Sequence, residues 1–133
     1  MATLLIQQPD GLFCVFDEEA TSFPISNMGR RDLTVALFGM LPPSWVDNAI
    51  GAAARVGQLI EAAVADGARW AAARRRVCQV HGPDAAEWML AVERRAAIHA
   101  FNHATPEQVE ATIATLSPEG QAWMRDFEAR GTR

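Results

Sequence analysis

The chain has 133 residues, half of them apolar and about a fifth charged, with a formal net charge of −4. That balance excludes a disordered chain and leaves enough residues for a buried core without disulfide or metal staples. It also excludes a membrane-spanning helix, since no apolar run approaches the roughly 18 to 20 residues that a bilayer requires.

Residues 4–8 and 12–16 are apolar and β-prone, and they flank Gln8-Pro9-Asp10-Gly11, where proline pre-sets φ and glycine accepts a positive φ. This predicts a β-hairpin. Residues 21–25 add a short third strand after the acidic tip Asp17-Glu18-Glu19, with Pro24 confining it to an edge. The segment before them has no basic region, and its apolar stretch is too short for a signal peptide, so the expected location is the cytoplasm.

A first helix is expected over residues 29–41, capped by Ser26 or Asn27 and turning Leu33, Leu37, Phe38 and Leu41 inward. Pro42-Pro43 ends it. Ser44 is then expected to cap a longer helix whose inner stripe is Val46, Ala49, Ile50, Ala53, Val56, Ile60, Ala63 and Val64. Asp66-Gly67 breaks the pattern, and Trp70, Ala73, Val77 and Val80 continue it to His81-Gly82. Pro83 opens the next segment, with Trp88, Met89, Val92 and Ala96 on a helix reaching His103. Thr105-Pro106-Glu107-Gln108 reads as a capping box ahead of Val109, Ile113 and Leu116, and Ser117-Pro118 opens a last helix carrying Trp123, Met124 and Phe127. Order is expected to fade at Gly131, Thr132 and Arg133.

The expected fold is therefore α+β and predominantly helical, with an N-terminal β-hairpin or small three-stranded antiparallel sheet packed on about five to six helices. Residues 1–133 read as one domain, 1–25 forming the sheet and 26–130 the helical part.

Metal and catalytic chemistry find little support. Cys78-x2-His81 and His99-x3-His103 gather every histidine, but a chain reversal at Gly82-Pro83 leaves the two pairs about 25 Å apart along a helix, too far to share one ion. Cys14 and Cys78 read as buried free thiols. No nucleophile elbow, phosphate loop or activated cysteine is present, so no catalytic residue, cofactor or metal is expected.

Charge is distributed more tellingly. Residues 1–66 carry −5, residues 67–103 carry +3 and the remainder −2. All twelve basic residues are arginine and tyrosine is absent, a codon bias that suggests a bacterial or phage genome. Arg69, Arg74, Arg75, Arg76, Arg94 and Arg95 form a cluster able to grip phosphates or carboxylates, although a charged helix face is ordinarily just solvated. Asp10, Asp17, Glu18 and Glu19 form its acidic counterpart. These ten are the expected partner-binding residues.

Together they point to a non-enzymatic protein-binding module: a small inhibitor or regulator, encoded by a phage or other mobile element, that docks on a larger protein or nucleoprotein complex handling nucleic acid. The acidic hairpin would occupy a basic groove meant for phosphates. The alternative is a nucleic-acid-binding transcriptional regulator using the arginines, weakened by the net negative charge. The second alternative is a Cys/His metal-dependent enzyme. No membrane partner is expected, and a homodimer is compatible with the sequence. Of the four tryptophans, each on a different helix, core packing is the ordinary role, and an exposed one would anchor an interface.

Overall fold

The computed structural model of the chain describes residues 3–131, apart from the side chains of residues 127, 128 and 130. The fold is α+β and predominantly helical. One antiparallel sheet of order β1-β2-β3 is followed, among the described residues, by seven α-helices and one 3-10 turn. No described helix is long and apolar enough to cross a membrane. By packing, the residues form two compact units, Met1–Gln8 with Leu12–Ala73, and Pro9–Gly11 with Arg74–Arg133.

In the first unit β1 (Thr3–Gln7) pairs with β2 (Phe13–Asp17), placing Leu5 opposite Val15 and Ile6 opposite Cys14. The connection is the expected one: Gln8 N–H donates to the Leu12 carbonyl at 2.7 Å, and Gly11 takes φ +88°, which glycine adopts without steric cost. β3 (Ser22–Met28) pairs with β2 and runs three residues past the expected end of the third strand. Gln8, buried, holds its far end: the Gln8 Oε1 accepts from Asn27 N at 2.8 Å and Nε2 donates to Asn27 Oδ1 at 3.0 Å.

Because Ser26 and Asn27 are still strand residues, neither caps the first helix. That place falls to Gly29, ahead of α1 (Arg30–Met40). Leu33 of α1 is buried in a cluster with Phe13, Val56, Ile60 and Ala63, and Leu37, Phe38 and Leu41 pack against it. Burial at this level is worth roughly 1.5 to 3 kcal/mol for each large aliphatic side chain.

After Pro42 the chain makes a one-turn helix, α2 (Pro43–Val46), and only then enters α3 (Ala49–Ala65). The cap of α3 is Asn48, whose side chain accepts from Gly51 N at 3.4 Å, and not Ser44. The stripe shifts with it. α3 buries Ala52, Val56, Ile60 and Ala63, whereas Val46, Ile50 and Val64, expected inside, are exposed. α3 is apolar or small nearly all round, so periodicity alone leaves its inner face undetermined.

Asp66 ends α3, and its carboxylate accepts from Ala68 N at 3.3 Å and Arg69 Nε at 2.6 Å as α4 (Ala68–His81) begins. Trp70 is buried and lies in an aromatic row, with Phe16 to Phe23 ring centroids 5.0 Å apart and Phe23 to Trp70 6.4 Å apart.

In the second unit Gly82, at φ +89°, ends α4 and leads into the 3-10 turn Pro83–Ala86 and then α5 (Glu87–His103). α6 (Pro106–Ala114) opens on the expected capping box, with Thr105 Oγ1 and the Gln108 side chain each accepting from the other's backbone N–H. α7 (Pro118–Gly131) follows Ser117, whose hydroxyl oxygen accepts from Gly120 N at 3.1 Å. Ala97, Val109, Ile113, Leu116 and Met124 form this unit's core, with Phe101, Ala104 and Trp123 packed on it. Of the tail expected to lose order, Thr132 and Arg133 lie outside the described residues, while Gly131 ends α7. The inward role expected of Phe127 concerns a side chain outside the described set.

Candidate functional site

The four acidic residues singled out from the sequence occupy different environments. Asp10, its side chain only 12% exposed, pairs with Arg95 Nη2 at 2.9 Å. Asp17 is a turn builder: its Oδ1 accepts from the backbone N–H groups of Glu19 at 3.0 Å and Ala20 at 3.2 Å, closing the β2 to β3 connection by a side-chain mimic of a backbone turn. Glu18 and Glu19 are exposed.

The arginines divide in the same way. Arg69 is half-buried, binding Asp66 and donating through Nη1 to the Leu5 carbonyl at 3.2 Å. Arg74 is drawn inward by two acids. Its Nε lies 3.3 Å from Glu93 Oε1, and its Nη2 donates to Glu119 Oε2 at 2.9 Å. Arg94 places its guanidinium carbon 5.4 Å from the Trp123 ring centroid, a cation–π contact, while its buried Nε has no hydrogen-bond partner among the described residues. Arg75 and Arg76 are exposed.

Glu93, which sequence reasoning passed over, is the focus of the second unit. It is 2% exposed, an unusual position for a carboxylate unless its charge is met by partners. Besides Arg74, its Oε2 accepts from Ser117 N at 3.3 Å and from the Ser117 hydroxyl. A Cβ at Gly120 would stand 2.9 Å from Glu93 Oε2 and 3.2 Å from Ser117 Oγ, so glycine at this position admits the carboxylate. At the rim the Glu119 carboxyl is held below its ordinary range by a hydrogen bond at its own backbone, helped by the Arg74 charge. The Glu110 carboxyl is lowered chiefly by its hydrogen bonds to Arg125, at 2.7 and 3.0 Å.

His99 and His103 are exposed neighbours with ring centroids 4.6 Å apart, one turn from each other on α5. Among the described residues no three His, Cys, Asp or Glu side chains are placed to hold a metal ion. Cys14 and Cys78 are free thiols. Cys14 is buried as expected, but Cys78 is half-buried, because it lines a cleft at the end of α4.

That cleft, of about 390 Å³, is also lined by Arg74, Arg94, Leu90, Asp84, Glu87 and Glu119, so both signs of charge face it. A second cleft, of about 470 Å³, lies where α2 meets α3 and is lined by Ser44, Trp45, Asn48, Gly51, Ala52 and Arg55. Among the described residues its lining carries one cation, one amide, one hydroxyl and the indole of Trp45, with no acid. The Arg55 guanidinium carbon lies 5.4 Å from the Trp45 ring centroid. Trp70 is buried and Trp88 and Trp123 are half-buried, which leaves Trp45, 39% exposed, as the tryptophan most open to solvent. Val46 and Ile50 beside it in sequence are exposed as well. Trp45 was visible in the sequence as one of four tryptophans, but nothing local signalled that Arg55, ten residues on, would cover it.

No protein-family model matches the chain, and no curated protein or solved structure matches it either.

Proposed function

We propose that this protein is a non-enzymatic protein-binding module that works by surface complementarity on a larger protein or nucleoprotein complex. What supports this is the exposure of Trp45 together with Val46 and Ile50 on α2 and the start of α3. Large apolar side chains left exposed can serve a partner, and tryptophan beside arginine is the composition of interface anchors. Glu18 and Glu19 on one unit and Arg75 and Arg76 on the other are exposed charges suited to steering the encounter.

A concrete form is a small inhibitor or regulator of a host complex that handles nucleic acid in the cytoplasm, encoded by a phage or other mobile element. Glu18 and Glu19 enter a basic groove there. Asp10 and Asp17 serve internal contacts instead, so charge reversal belongs at Glu18 and Glu19 and leaves the Asp17 turn intact.

The test is affinity capture from cells of the source organism with three chains in parallel: wild type, Trp45→Ala with Ile50→Ser, and Glu18→Arg with Glu19→Arg. The expected result is a discrete protein retained by the wild-type chain, lost with the first variant and less salt-sensitive with the second. No protein distinguishing wild type from either variant at low salt would overturn the proposal.

A second reading rests on Arg75 and Arg76, exposed side by side on α4. A nucleic-acid-binding regulator would shift labelled DNA or RNA at low salt, and Arg75→Ala with Arg76→Ala would abolish the shift.

A further inference from the structure

The two clefts described above carry opposite messages. In the one at the end of α4, Arg74 is already engaged by Glu93 and Glu119, and Asp84 and Glu87 also face the space. Its charges largely answer one another. The cleft where α2 meets α3 has no such compensation. Among the described residues Arg55 is its one charged lining residue, and no carboxylate pairs with it.

The Arg55 guanidinium carbon lies 5.4 Å from the Trp45 ring centroid, and a cation–π contact does not use up the five N–H donors of the guanidinium, so a forked contact with a carboxylate is open to it. Asn48 adds to the donor set, because its Oδ1 is taken by Gly51 N and its amide N–H2 remains. Ser44 brings a hydroxyl. Beside these donors is the Trp45 indole, 39% exposed. Apolar surface and a donor seeking an acceptor are thus offered together, with Gly51 and Ala52 keeping the lining of the cleft small.

We propose that this cleft binds a peptide segment of the partner protein that presents an aliphatic or aromatic side chain next to a carboxylate, the apolar group resting on Trp45 and the carboxylate meeting Arg55. This deepens the protein-binding function proposed above and rests on it. A nucleic-acid strand, with bases on Trp45 and phosphate on Arg55, would use the same groups. It is disfavoured by the net charge of −4, because strand binding draws most of its affinity from a basic footprint.

The test uses a random peptide library displayed on phage, selected on the full wild-type chain with Trp45→Ala as the counter-selection. Enriched peptides are expected to carry a large apolar residue adjacent to Asp or Glu, and as synthetic peptides to bind Trp45→Ala at least about tenfold more weakly. Selection on Arg55→Glu is expected to replace the acidic preference by Lys or Arg. Both positions are exposed, and an unchanged urea midpoint verifies the fold; Arg55→Ala replaces Trp45→Ala as counter-selection if that midpoint falls.

No enrichment over the counter-selected chain overturns the proposal, as does enrichment without acidic bias or a preference unmoved by Arg55→Glu. Binding of a single-stranded oligonucleotide that is lost in both variants reassigns the cleft to nucleic acid. A dimer of the chain that dissociates with Trp45→Ala reassigns it to a second copy. If the library fails while capture still yields a partner dependent on Glu18 and Glu19, the cleft is excluded and protein binding stands. If both fail, both fall.

Discussion

Ile50 in the first unit is an aliphatic side chain left 86% exposed, and Glu93 in the second is a carboxylate left 2% exposed. Each is where the other would ordinarily be. The first unit secures itself with an apolar cluster around Leu33, Val56 and Ile60 and leaves other apolar groups outside. The second has an apolar core of its own but adds a charged centre, in which Glu93 ties Arg74 of α4 to Ser117 at the start of α7. The contrast separates apolar surface that holds a fold together from apolar surface that the fold does not need, and the proposed function rests on the latter.

The sharpest way to break the comparison is Glu93→Ala. It leaves Arg74, only 13% exposed, without its buried counter-charge, and removal of one member of a buried pair costs about 3 to 5 kcal/mol. The urea midpoint is expected to fall accordingly, with Glu93→Gln falling less because it keeps the shape and part of the hydrogen bonding. A midpoint within error of wild type would show that the second unit does not depend on its charged centre.

Next in size is a pair of substitutions on one helix. Ile60→Ala removes a fully buried side chain and is expected to cost about 2 to 5 kcal/mol, whereas Ile50→Ala, ten residues earlier on α3, is expected within about 0.5 kcal/mol of wild type. Equal losses would mean that Ile50 belongs to the core and not to a binding surface.

Gly120→Ala gives a prediction of sign. In an exposed helix the change stabilises by about 1 kcal/mol, but here the new Cβ meets Glu93 Oε2 at 2.9 Å, and that oxygen is held by Ser117. A loss of about 1 to 3 kcal/mol is expected from the crowding, read as a lower melting temperature.

The smallest effect concerns acid. The Glu110 and Glu119 carboxyls are lowered from 4.5 in the folded chain, so their stabilisation is present above the unfolded value and is lost as pH falls through the depressed one. Urea midpoints measured from about pH 6 to about pH 3 should decline less steeply in Glu110→Gln and Glu119→Gln than in wild type. Both groups are well exposed, and solvent screening keeps the difference small.

Much of the fold was legible because its punctuation is covalent. Pro9 and Gly11 mark the hairpin, Asp66-Gly67 and Gly82-Pro83 mark the helix breaks, and the Thr105 to Gln108 box marks the start of α6. The inner face of α3 was not legible, since an alanine-rich helix repeats a weak signal at nearly every angle and the extra turn at Pro43–Val46 shifts which residues are turned inward. The capping roles of Gly29 and Asn48 were hidden by competing Ser26, Asn27 and Ser44, all residues of similar capping ability. Glu93 could not be singled out because its partners, Arg74 and Ser117, lie 19 and 24 residues away. The charge grouping was readable in the sequence, but charge counts do not distinguish Arg74, engaged by two acids, from Arg75 and Arg76, which are exposed.

Pro24 has one more consequence. It stands within β3, the outermost strand on its side of the sheet, and two register shifts interrupt the pairing of β3 with β2. A further strand zipping onto that rim would need a regular row of amide hydrogens, and proline supplies none. The rim at β3 is thereby a poorer template for a further strand than a regular, proline-free edge would be.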